Sequence, residues 1–115
     1  MKTPRYVRWF SDLGLEDIAQ VGGKNASLGE MYRDLTPMEI KVPDGFAITV
    51  DGYWDTLREA DILEELIDLL NPFNKDDVHD LEVCAQSVRE LVEDSSLPID
   101  LSKEISEAFQ QYVKL

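Results

Sequence analysis

The stretch QVGGKNASLGEM, Gln20 to Met31, sets two adjacent glycines and a lysine directly ahead of a helix-like run. Leu28, Met31, Tyr32 and Leu35 recur at i, i+3, i+4 and i+7, one apolar face of a helix ending near Leu35, before Thr36-Pro37. Glycines just before a helix let the backbone come close to a ligand, and the first turn carries unpaired N–H groups. Lys24 adds a mobile point charge suited to phosphate. On residue types alone the commoner use of such a glycine pair is a tight turn feeding a helix. Two familiar phosphate motifs do not fit. A P-loop would need glycine where Ile18 stands and Ser or Thr where Asn25 stands, and Gly22-Gly23-Lys24 does not match Gly-x-Gly-x-x-Gly.

Outward from this stretch, Val7 to Phe10 reads as a short strand closed by Ser11-Asp12 and Gly14. Pro43-Asp44-Gly45 reads as a turn, and Phe46 to Val50 as a second short strand expected to pair with the first. Thr49 or Asp51 is placed to cap a helix through Tyr53, Trp54, Leu57 and Arg58. Ile62 to Leu70 extends that helix or begins another, and Pro72 stops it. From Asp77 to Glu93, apolar positions 78, 81, 85, 88, 91 and 92 form one stripe. Pro98 suits the first turn of a last helix, in which Leu101, Ile105, Ala108, Phe109 and Tyr112 share a face. The fold class expected is α+β, mainly helical, with two short strands. So small a sheet is not a complete ligand-binding α/β domain, which places part of any site elsewhere. The last helix still reads well at Leu115, so residues 1–115 are expected to be a single domain or subdomain, a piece of a longer multidomain enzyme.

The 115 residues suffice for one compact domain, and 43% hydrophobic with 30% charged residues fits a packed core under a polar surface. No apolar run approaches the roughly 18 residues of a membrane span. Lys2 and Arg5 come early without an apolar segment behind them, so no secretory leader is expected. The lone Cys84 excludes an internal disulfide and fits a reducing cytosol, which points to a cytoplasmic protein. A net charge of −13 argues against nucleic acid as a partner. Residues 1–50 hold six Lys/Arg against seven Asp/Glu, whereas residues 51–115 hold five against seventeen. An anionic ligand therefore meets least repulsion in the first half.

VRWFSDLG, VGGKNASLGEM and VPDGFAIT follow one another in an order and spacing that resembles the start of the ATP-binding domain of phosphoenolpyruvate synthases. Pyruvate phosphate dikinase and related dikinase-type phosphotransferases share this front segment. The resemblance is carried chiefly by GGKNASLGEM and continues more weakly through the helical half. It implies the N-terminal part of an ATP-grasp-like nucleotide domain, with Lys24 reaching the nucleotide phosphates and Gly22 and Gly23 supplying the backbone approach. It further implies ATP and Mg²⁺ as cofactors of the full-length enzyme. Such enzymes phosphorylate a histidine on a swivelling domain, release AMP and phosphate, and pass the phosphoryl group to pyruvate. The phosphohistidine and the metal-holding acids lie beyond this chain, so its partners are ATP and the remaining domains. Two alternatives stay open: a stand-alone interaction module that kept the fold, and the same portion of a dikinase with another acceptor.

Other residues take plainer readings. His79 lies off the apolar stripe and is expected at the surface, and Cys84 reads as a small core residue. Trp9 and Trp54 read as core aromatics, Arg89 as the partner of a nearby carboxylate, and Glu30 as the partner of Arg33. Asp44 has a turn role.

Overall fold

A computed structural model describes residues 4–71 and 76–115. The early charge at Lys2 and the helix stop at Pro72 lie outside the described residues. The chain divides into two compact units, Met1–Tyr53 with Ile99–Leu115, and Trp54–Pro98.

In the first unit, strand β1 (Val7–Trp9) pairs antiparallel with β2 (Phe46–Ile48), Val7 opposite Ile48 and Trp9 opposite Phe46. The expected pairing is present, although β2 is shorter than expected and Val50 already belongs to a helix. Two short 3₁₀ turns, Phe10–Asp12 and Leu15–Asp17, lead into helix α1 (Ile18–Val21), and α2 (Gly23–Leu35) follows after Gly22. The end of α2 at Leu35 agrees with the sequence reading; its start, which already includes Gly23 and Lys24, and its packing face do not. Ala26 and Gly29 are the buried residues, while Leu28, Tyr32 and Leu35 are half-buried and Met31 is 43% exposed. The small residues face inward because the 3₁₀ segment runs directly across the helix. A Cβ on Gly29 would lie 2.5 Å from that of Leu13, itself fully buried with Val21, Ala26 and Ala47. Close backbone approach thus replaces interdigitated large side chains on this side of α2.

Pro43-Asp44-Gly45 forms no turn. Residues 40–45 are irregular, and the chain reverses earlier, at the 3₁₀ turn Thr36–Met38, with Glu39 left-handed at φ 62°. Asp44 instead accepts the Gly45 amide at 2.8 Å, and the Phe10 amide donates to the Gly45 carbonyl at 2.9 Å.

Helix α6 (Ile99–Tyr112) completes this unit, with Leu101 and Ala108 buried. Its Glu104 carboxylate accepts the Tyr6 amide at 2.8 Å and the Val7 amide at 3.3 Å, so one half-buried side chain receives two donors of the first strand region. Glu104→Ala is expected to lower stability by about 2 kcal/mol, because buried donors stripped of an acceptor carry their desolvation cost. Urea midpoints of the two proteins measure this.

Helix α3 (Val50–Glu59) starts in the first unit and ends in the second. Thr49 does not cap it through its side chain: the Thr49 carbonyl accepts the Gly52 amide, and the buried hydroxyl has no partner among the described residues. Helix α4 (Leu63–Leu70) is separate from α3, because Asp61 at φ 56° breaks the run. Helix α5 (Val78–Glu93) is capped by Asp77, whose carboxylate accepts the Asp80 amide. Leu57, Ile62 and Leu66 form the core here, with Val88, Leu91 and Val92 packed against it. The expected stripe holds in its second half only, since Val78 and Leu81 are exposed. Cys84 is buried, as expected, with its thiol on the Leu69 carbonyl.

Candidate functional site

Gly22 joins α1 to α2 with φ at +84°, a backbone conformation that side chains with a Cβ rarely adopt. Its amide closes α1 by donating to the Ile18 carbonyl, and its carbonyl opens α2 by accepting the Ala26 amide at 3.1 Å. Gly22 carries no side chain to cap α2, so the first amides of that helix, at Gly23, Lys24 and Asn25, are left for an outside acceptor. Nothing lies within 4 Å of where a Cβ would stand on Gly22 or Gly23. Lys24 sits in the first turn, exposed, and makes no ion pair among the described residues. The three predicted residues therefore fall together at one helix start. Gly23 and Lys24 are helical, where a loop was read.

The Arg8 side chain, which the sequence reading passed over, braces this start from β1. It donates to Gln20 at 2.6 Å and to the Asp12 carbonyl at 3.1 Å, and lies 3.8 Å from Asp17. Nothing but a basic residue in a strand and a polar one two positions before Gly22 could have signalled the pairing.

The far end of α2 is tied down by charge. Glu30 accepts the Leu15 amide at 3.0 Å, and Arg33 reaches the Leu13 carbonyl and Glu16. The Arg33–Glu30 pair is present but long, at 4.0 Å. A hydrogen bond from its own backbone, then one from Arg33, holds the Glu16 carboxyl below its ordinary value of 4.5, and Glu16 in turn raises Arg33. With the folded pKa lowered, Glu16 contributes its stabilisation fully above about pH 4.5 and loses it as pH falls through the folded value. The midpoint difference between wild type and Glu16→Gln should therefore be present at pH 7 and be lost as the pH is taken progressively below 4.5. The pair is surface-exposed, so the difference should be small and should shrink in high salt.

The other singled-out residues sit apart from this site. His79 is exposed on α5, as expected. Arg89 bonds Gln86 at 3.2 Å rather than a carboxylate, because Gln86 is three residues back on the same face. Trp9 is half-buried and its ring meets Phe46 at 5.5 Å, whereas Trp54 is 42% exposed and is no core residue. Three cavities of the first unit, of about 670, 540 and 300 Å³, are lined by residues other than Gly22, Gly23 and Lys24.

Residues 18–115 match the family model described as the pyruvate phosphate dikinase AMP/ATP-binding domain. The chain belongs to that family. It is 40% identical over 106 residues to the phosphoenolpyruvate synthase of Helicobacter pylori, covering 92% of this chain. The corresponding enzymes of Aquifex aeolicus and Escherichia coli are 36% and 37% identical over 110 and 105 residues. The chain is thus homologous to the N-terminal portion of phosphoenolpyruvate synthase, and it spans 13% of the length of these three relatives. The matched range begins at α1 and includes Gly22, Gly23 and Lys24, so the candidate site falls within the family domain. No helix among the described residues is long and apolar enough to cross a membrane.

Proposed function

We propose that this chain is the nucleotide-binding front portion of a phosphoenolpyruvate synthase-like phosphotransferase, an ATP-grasp-like domain completed by polypeptide outside residues 1–115. The reaction of the whole protein on this reading is ATP, pyruvate and water to AMP, phosphoenolpyruvate and phosphate, by way of a phosphohistidine outside this chain. The observation that carries the reading is the helix start itself: Gly22 at positive φ, open space above Gly22 and Gly23, no side-chain cap, and a Lys24 with no ion pair among the described residues. These are the parts a phosphate needs to come within hydrogen-bond distance of backbone amides, with one mobile cation to share its charge. The amides orient the phosphate oxygens, and Lys24 stabilises negative charge as it shifts during transfer.

Among the described residues, no group of three His, Cys, Asp or Glu side chains is placed to hold a metal ion. The Mg²⁺ implied for the full-length enzyme therefore finds no such ligand set among the described residues. Acceptor recognition and the histidine that carries the phosphoryl group belong to the rest of the protein. The test is ATP-dependent AMP release and the thermal midpoint, measured together in the full-length protein with and without Lys24.

A further inference from the structure

Away from the helix start, Phe10, Asp44, Gly45, Phe46, Phe109 and Tyr112 line a cleft of about 300 Å³ in the first unit. Four of these six residues are aromatic, one is a carboxylate, and none is basic. The cleft is built rather than accidental. A Cβ on Gly45 would stand 2.8 Å from the Phe10 ring, so the glycine lets that ring pack close against the backbone. The Phe10 amide ties back to the Gly45 carbonyl, and the Gly45 amide fixes one oxygen of Asp44 at 2.8 Å. Phe46 is braced from behind by Trp9. Phe109 and Tyr112 stand three residues apart on α6, so they rise on one side, 58% and 43% exposed.

We infer that this cleft receives the guanidinium of an arginine side chain presented by a polypeptide segment outside residues 1–115. Aromatic faces attract a cation through the negative face of the ring, and a carboxylate makes the attraction directional. Asp44 has no ion pair among the described residues to compete. A neutral apolar group would leave that carboxylate against hydrocarbon, which is unfavourable. A guanidinium is planar and weakly hydrated, stacking on a ring while its edge meets a carboxylate, whereas an ammonium holds its water more tightly. The size of the cleft selects the source. At about 300 Å³ it lies at the low end of small-molecule pockets. It is open enough that a free ligand would stay largely in water, while an arginine on a chain draws further affinity from its neighbours. The relatives are several times longer than this chain, so polypeptide to supply such a residue exists on the reading proposed above. The inference rests on that reading for its source of arginine and not for its chemistry.

The test is an NMR titration of the 115-residue chain with N-acetyl-arginine amide, N-acetyl-lysine amide and N-acetyl-norleucine amide, followed at the Phe109 and Tyr112 ring signals. The arginine probe should bind weakly but saturably, at least several-fold better than the other two. Asp44→Asn keeps the acceptor for the Gly45 amide, so it should fold normally and weaken the arginine probe about tenfold. Phe109→Ala, at an exposed position, should weaken it several-fold. In the full-length protein the same probe should fail to bind, because the cleft is already filled. Equal binding of norleucine or lysine, or no effect of Asp44→Asn, would overturn the guanidinium assignment. Undiminished binding in the full-length protein would overturn its source, and neither result bears on Lys24.

Discussion

Lys24→Ala in the full-length protein is expected to slow ATP-dependent AMP release by about a hundredfold or more while leaving the thermal midpoint where it was. The size of the loss follows from removing one preorganised charge contact made with the transferring phosphate, typically about 3 kcal/mol of transition-state stabilisation. The unchanged midpoint follows from the surroundings of the side chain. Lys24 is exposed at the start of α2 and makes no ion pair among the described residues, so its removal empties no packed space. Alanine is also a good residue inside a helix, which Lys24→Ala leaves intact. The opposite pattern, with activity kept and the midpoint lowered, would make Gly22-Gly23-Lys24 a structural turn and remove the observation on which the proposed function stands.

The largest stability effect is expected seven positions after Gly22, at Gly29. A Cβ there meets the Leu13 Cβ at 2.5 Å, its carbonyl oxygen at 2.7 Å and its carbonyl carbon at 2.8 Å. Two of these three atoms are backbone, so no rotamer change relieves the contact; α2 and the Phe10–Asp17 segment must separate. In an open helix position, glycine to alanine gains about 1 kcal/mol from propensity alone. At Gly29 the clash should outweigh that gain, and Gly29→Val should cost about 3 kcal/mol, the upper end of the usual overpacking range. That is a large part of the 5–15 kcal/mol that holds a typical domain together. Gly23→Ala, with nothing within 4 Å, is the matched control and should not lower the urea midpoint. Equal midpoints for Gly29→Val and wild type would mean that α2 does not sit on Leu13 as described.

Gly29 also explains what the sequence hid. The C-terminal end of α2 was legible because Thr36-Pro37 interrupts a helical pattern, and the two strands because short apolar runs sit between turn residues. The buried side of α2 was not legible. Periodicity weighs large apolar residues, and Leu28, Met31, Tyr32 and Leu35 outvoted Ala26 and Gly29, whose burial comes from backbone proximity. The same bias put Trp54 in the core and read Val78 and Leu81 as buried, although an amphipathic stripe need not be covered along its whole length. The 3₁₀ turns from Phe10 to Asp17 were missed because they have no repeat to detect; hydrogen bonds hold them, such as that from the Gly14 amide to the Asp17 carboxylate. Of the candidate site, the residue types and their adjacency were readable. That Gly23 and Lys24 already belong to the helix, and that Arg8 braces Gln20, required the fold.

The Glu104 carboxylate has a consequence for how the protein is made. It lies 98 residues after Tyr6, whose amide it accepts, and within the same unit. A ribosome delivers β1 and the Gly22 helix start long before it delivers α6. Until Glu104 emerges, the Tyr6 and Val7 amides have water as their acceptor, and Leu101 has not yet covered the neighbourhood of Tyr6 and Gly52. The second unit, contained between Trp54 and Pro98, emerges whole in the interval and closes over contacts local in sequence. Birth order and completion order are therefore reversed: the segment that begins the nascent chain is the one that must wait for its last helix.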